Sequence, residues 1–117
     1  MYNVIPTPRF EDDIRFYMKR KKYKKIKDDI EPILEDLENG ILVGDEISDL
    51  HFENEEGVFK VRAANTSANL GKSNGFRVIY YVIKNDQEIY LLTIYSKKDV
   101  GTIGNSEIVK LVKAFCM

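Results

Sequence analysis

Residues 57–98 read GVFKVRAANTSANLGKSNGFRVIYYVIKNDQEIYLLTIYSKK, and this stretch decides the fold. From Val58 to Ala64, Phe59, Val61 and Ala63 alternate with Lys60 and Arg62. That period of two belongs to a strand with one face in a core and cations on the other. Gly75–Lys84 is apolar on both faces after Arg77, and Glu88–Lys97 is apolar nearly throughout. Both read as central strands, covered on both sides or lining a groove. Asn85-Asp86-Gln87 is the turn between them. Asn65–Asn74, rich in Gly, Ser and Asn, is long for a hairpin loop and is a candidate functional or mobile segment. The stretch is therefore three consecutive antiparallel strands punctuated by Lys60, Arg62, Lys72, Arg77, Lys97 and Lys98. Tyr81 and Tyr95 are core aromatics or stacking surfaces, with core the default.

Outward from these strands, the N-terminal side supplies helices. Tyr2–Ile5 is a short edge strand ended by Pro6, and Thr7-Pro8 is an N-cap and first-turn pair. Phe10, Ile14, Tyr17 and Met18 then recur at helical spacing. Glu11, Asp12 and Asp13 near the start, and the basic run near the end, complement the helix dipole. Ile26, Ile30, Ile33, Leu34 and Leu37 mark a second helix, stopped at Asn39-Gly40. Pro32 is tolerated near a helix start, which points to Asp28 or Asp29 as the N-cap, the alternative being an earlier start with a local kink. Residues 41–56 are irregular and acidic. Ile108, Leu111, Val112 and Phe115 form the apolar face of a last short helix capped by Asn105 or Ser106. The expected fold is α+β, a small single domain of order β-α-α-β-β-β-α. Its antiparallel sheet carries a helical pair on one face, with a C-terminal helix following.

At 117 residues, 1–117 form one domain with room for a genuine core. The net charge of −1 hides a segregation. Residues 19–27, KRKKYKKIK, hold seven basic groups, whereas 28–56 hold twelve Asp or Glu and no Lys or Arg. From Gly57 to Val100 the count is seven basic against three acidic. Such a chain can present opposite fields on two faces. The run Lys19, Arg20, Lys21, Lys22, Lys24, Lys25 reads either as a solvated helix end or as a patch that contacts phosphates. No apolar run spans a bilayer, and no export signal opens the chain, so a cytoplasmic setting is expected. The single cysteine, Cys116, fits a reducing compartment and reads as an incidental apolar residue. His51, the lone histidine, lies among acids and reads as a surface or hinge residue. With no second His and no second Cys, a zinc site is unsupported and no cofactor is expected.

Nucleophile elbows, metalloprotease helices and phosphate-binding glycine loops are all missing, which leaves the cations as the chemistry to explain. Clustered Lys and Arg stabilise the charge that gathers on a phosphoryl group in its transition state. If the substrate is RNA, its own 2′-OH is the nucleophile. The patterns VFKVR, GKSNGFRVIYY and IYLLTIYSKKD, in this order and preceded by a helical pair with a basic K-K-Y run, resemble the RelE/HigB branch of the RelE/ParE toxin superfamily. The resemblance covers nearly all of residues 10–115. It implies the toxin of a type II toxin–antitoxin module: an endoribonuclease that cleaves mRNA, associated with the ribosome, and leaves a 2′,3′-cyclic phosphate. A cognate antitoxin partner is implied as well. By position it assigns catalytic roles to Lys60, Arg62, Lys72, Arg77 and Lys98. The C-terminal tyrosine or histidine that some members use for proton transfer has no counterpart in VGTIGNSEI, so Tyr95, Lys60 or Lys72 would assist. The alternatives are a ParE-like inhibitor of a protein target such as gyrase, or an inactive homologue that only binds. A ribonuclease requires Lys60, Arg62 and Arg77 on one side of the sheet.

Overall fold

Five strands form one mixed sheet in the order β1-β5-β4-β3-β2 in the computed structural model, which describes residues 1–116. The strands are β1 (Asn3–Pro6), β2 (Asp45–Glu46), β3 (Glu56–Ala63), β4 (Phe76–Ile83) and β5 (Glu88–Ser96). The helices are α1 (Pro8–Lys19), α2 (Ile26–Glu38), a single turn α3 (Lys97–Val100) and α4 (Asn105–Phe115). No helix among the described residues is long and apolar enough to cross a membrane. The fold is α+β, as the strand and helix patterns require.

Several details differ from the sequence reading. The acidic 41–56 segment contains the short strand β2, and Lys97–Val100 form α3 where the strand was expected to end. Helix α4 is capped by Gly104, with Asn105 and Ser106 already inside the helix. β1 runs parallel to β5, with Asn3 opposite Glu88, so the sheet is not wholly antiparallel. Turn signals report pairings between neighbouring strands, and this pairing joins segments at opposite ends of the chain. Helix α2 starts at Ile26, leaving Pro32 in its interior. Asp29 caps nothing in α2; its carboxylate accepts from the N–H (3.0 Å) and hydroxyl (2.8 Å) of Thr66 instead.

The continuous apolar character of β4 and β5 follows from cover on both faces. Helices α1 and α2 pack on one face, where Phe10, Ile14, Tyr17, Ile26, Ile30, Ile33 and Leu37 meet Phe59, Val61, Phe76, Val78 and Tyr80. Helix α4 packs on the other, where Ile108, Leu111 and Val112 meet Val58, Ile79, Tyr81, Leu92 and Tyr95. A bulge at Leu92 shifts the β4–β5 register, so that Ile79 faces Thr93 while Tyr80 faces Leu91. One extra residue exchanges the two faces of everything beyond it. The bulge is therefore what sets Tyr95, not Ile94, beside Arg77.

Beyond the end of β1, β5 would be an open edge. Helix α1 closes it with side chains. The Thr7 hydroxyl donates to the Leu91 carbonyl at 2.8 Å, the Asp13 carboxylate accepts from the Ile94 N–H at 3.2 Å, and the Tyr17 hydroxyl accepts from the Ser96 N–H at 2.9 Å. A sheet edge satisfied this way is no longer a template for another chain. Burial raises the Asp13 pKa above its ordinary value even though Thr93, Arg9 and Ile94 all favour the carboxylate.

The buried tyrosines fix an alkaline limit. Burial raises the hydroxyls of Tyr17, Tyr80, Tyr81 and Tyr90, with the Glu56 hydrogen bond adding to the effect at Tyr81, and it pushes the Cys116 thiol up to about 11. A tyrosine whose folded pKa exceeds its unfolded one stabilises the fold fully below the unfolded value of about 10 and loses that contribution as pH rises beyond it. Urea unfolding between pH 8 and 12 is expected to show stability falling steeply from about pH 10. Tyr80→Phe should shallow that fall, and an unchanged slope would show that Tyr80 ionises as readily folded as unfolded.

Candidate nucleic-acid interface

The strand alternation and the register put three cations on one face. Arg62 lies directly opposite Arg77, and Arg77 directly opposite Tyr95. Lys60, two residues before Arg62, shares that face and lies opposite Ile79. Facing residues stand about 5 Å apart between Cβ atoms, and strand neighbours on one face about 7 Å apart. The face is the one that α4 covers further along, so the cations occupy its open end.

Their environments are unequal. Arg62 is exposed and Lys60 half-buried. Asp45 of β2 lies across from Lys60 and offsets part of its field. Arg77 is only 6% exposed. Its guanidinium donates to the carbonyls of Lys72 (3.0 Å), Phe76 (3.2 Å) and Ser73 (2.9 Å). Burial, then the Arg62 charge, pulls its pKa below the ordinary value. Arg77 is thus first the clasp of the 65–74 loop. Tyr95 is 3% exposed and packs in the α4-side core.

Lys72 is exposed on that loop and lines a hollow of about 360 Å³ with Arg62 and the Asp28, Asp29 and Asp36 of α2. The hollow lies over the end of β3, which β2 leaves unpaired beyond Lys60. Gly75 lets the loop rejoin β4. A Cβ there would lie 2.2 Å from the Ala63 carbonyl oxygen and 2.8 Å from the Asn65 nitrogen, both backbone atoms that cannot yield. Gly75→Ala is accordingly expected to destabilise the fold by more than about 1 kcal/mol in urea titration. An unchanged midpoint would mean that the loop and β3 can part without loss.

Loops from four elements meet at this end of the sheet. The Lys97 N–H donates to the Gly75 carbonyl at 2.9 Å, and the Lys97 ammonium to the Ser73 carbonyl at 3.2 Å. Lys25 N–H donates to the Ser67 hydroxyl at 3.0 Å, joining the α1–α2 turn to the 65–74 loop. Asp99 of α3 accepts from Lys21 (3.1 Å) and from the Tyr23 hydroxyl (3.3 Å). Burial alone would raise the Asp99 pKa, but Lys21, Ser96 and Tyr23 together outweigh it and hold it below the ordinary value. Under the turn, Tyr23 stacks on Tyr17 at 6.0 Å and meets Phe76 edge-on at 5.9 Å.

The outcome is a basic end. Lys19, Arg20, Lys21, Lys22, Lys24 and Lys25 line the α1–α2 turn, Lys72 the loop, Lys97 and Lys98 the single turn α3, and Arg62 the adjoining sheet. Glu53, Glu55, Glu56, Asp86 and Glu88 gather at the opposite end, around the β4–β5 turn and the start of β3. Lys98 is exposed on α3, off the strand that bears Tyr95.

Sequence reasoning missed the residues that lash these loops together, Asp29, Ser67, Ser73 and Asp99. Apart from Arg77, four positions from Ser73, their partners lie 24 to 78 positions away, and no local pattern announces them. Tyr23 carried a signal, as the one aromatic within the basic run. No protein-family model matches the chain.

Proposed function

We propose that this chain is a cytoplasmic endoribonuclease toxin of the RelE/HigB type, cleaving mRNA at the ribosome and held in check by a cognate antitoxin. The observation that carries the reading is the register that sets Arg62 opposite Arg77 with Lys60 on the same face, beside a turn and loops dense in exposed lysines. The motif resemblance supplies the reaction class. In that reaction the RNA 2′-oxygen attacks the adjacent phosphorus, its proton passes to a base, and the 5′-oxygen departs protonated. The products are a 2′,3′-cyclic phosphate and a 5′-hydroxyl end. Arg62, with the buried Arg77 charge behind it, stabilises the charge on the pentavalent phosphorus. Lys60 and Lys72 are the groups placed to move protons. Arg62 shares the sheet face with Lys60 and the hollow with Lys72, and so adds positive charge beside both. The run Lys19–Lys25 holds flanking phosphates.

A second reading has its own observation. Arg77 spends its donors on loop carbonyls and Tyr95 is buried, as suits a surface that binds a protein target without cutting RNA. Tightly controlled expression with growth curves and mapping of mRNA 5′ ends separates the two. Growth arrest with new 5′ ends, lost in Arg62→Ala, is expected. Arrest without new ends would sink the ribonuclease reading and favour the protein-target inhibitor. In vitro, the logarithm of RNA affinity should fall with the logarithm of salt at a slope of about −4 for six phosphate contacts.

A further inference from the structure

A cavity of about 430 Å³ lies between α1, the end of β5 and the connection from α3 to α4. Its walls include Phe16 and Val100, which are 48% and 49% exposed. Two large apolar side chains left in solvent on either side of one cavity are more informative than either alone. The Phe16 ring meets Tyr17 edge-on at 5.2 Å, and its exposed part offers an aromatic surface to the cavity. At the polar end, Arg9 bridges Asp13 at 3.2 Å and Glu107 at 3.3 Å. Its second terminal nitrogen and the other Glu107 oxygen make no hydrogen bond within the described residues. The cavity thus combines an apolar slot with a donor and an acceptor set side by side.

We infer that this cavity is a subsite for one unstacked guanine base of an RNA strand lying across the basic end. The inference rests on the ribonucleic-acid reading above and adds a base preference to it. Guanine alone among the four bases offers acceptors O6 and N7 to an arginine and donors N1–H and N2–H to a carboxylate. Adenine would present its N1 lone pair to Glu107. Cytosine and uracil cover less of the Phe16 ring and lack the N7 acceptor. The phosphates fit the surroundings. Lys19 and Arg20 follow Phe16 by three and four residues, on the same flank of α1 or at its cap. Lys97 and Lys98 stand one turn before Val100.

The test titrates the intact chain with the four nucleoside 3′-monophosphates, following backbone amides by NMR. Guanosine 3′-monophosphate is expected to shift Val100, Thr102, Ile103 and Gly104 saturably, and to bind about tenfold tighter than the other three. Glu107→Gln should remove that preference, and Phe16→Ala should weaken purine binding about tenfold. Both side chains are exposed, and unchanged thermal unfolding of the variants is the check that they fold. Equal shifts with all four nucleotides, or shifts confined to the lysines, would overturn the subsite. RNA cleavage with no shift in the cavity would overturn it too, while leaving the ribonuclease reading in place. Saturable guanine-selective shifts without any cleavage would support the subsite and remove the ribonuclease reading.

Discussion

Arg62→Ala is expected to lower RNA cleavage by about 100- to 1,000-fold with no change in the unfolding midpoint, whereas Arg77→Ala should lower both. The contrast follows from their environments. Arg62 is exposed and makes no hydrogen bond within the described residues, so its truncation removes only charge from the face. Arg77 is buried and holds three carbonyls. Its loss leaves part-buried acceptors without donors, at about 1–3 kcal/mol, and frees the loop that carries Lys72. Arg77→Lys keeps a charge but not the planar fork that spans Lys72 and Ser73, so it should recover little of the stability. Single-turnover cleavage of a short RNA, paired with urea denaturation of each variant, reads out both quantities. If Arg62→Ala cleaves at the original rate while Arg77→Ala merely loses stability, the cations are structural and the ribonuclease reading fails.

What was legible in the sequence is what has a short period. Alternation along 58–64 put Lys60 and Arg62 on one face, and a one-to-one antiparallel register then carries that face to Arg77. Helical spacing gave both faces of the α1–α2 pair, and the lack of polar positions in β4 and β5 announced cover on both sides. The Thr7-Pro8 start was readable because a cap is local: the Thr7 hydroxyl accepts from the Phe10 N–H. What was not legible depends on distant partners. Asp13 read as an acid suiting a helix dipole, yet it serves the edge of β5, 81 positions away. Arg77 read as a catalytic cation and not as a clasp, because nothing in GKSNGFR says that the loop carbonyls will turn inward to meet it. Lys97 and Lys98 read as the end of a strand, whereas Lys97–Val100 forms a helical turn that carries both lysines off the β5 line. The segregation of charge along the chain was visible as a run of letters. Its conversion into two ends of one molecule required knowing that the ends of α1, β3 and β5 coincide in space.

That convergence gives a second large effect, at Phe76. This side chain is fully buried and lies edge-on to Tyr17 at 5.7 Å and to Tyr23 at 5.9 Å, beneath the turn that bears the lysine run. Phe76→Ala would open a cavity beneath the Tyr17 and Tyr23 rings, and is expected to cost about 3–5 kcal/mol. The same substitution removes the support of Tyr23, whose hydroxyl reaches Asp99 and helps hold α3 beside the α1–α2 turn. Folded Phe76→Ala should therefore also bind RNA more weakly, since lysines on a loosened turn must be ordered on binding. Ile89→Ala is the matched control. Ile89 is equally buried, in the same core, but at the acidic end beside β1. It should cost about 2–5 kcal/mol and leave RNA affinity of the folded fraction unchanged. Urea titration and fluorescence anisotropy with a labelled RNA, both at a temperature where each variant is folded, make the comparison. Equal loss of affinity in the two variants would mean that binding follows global stability, and that the aromatic cluster has no particular role in presenting the basic turn.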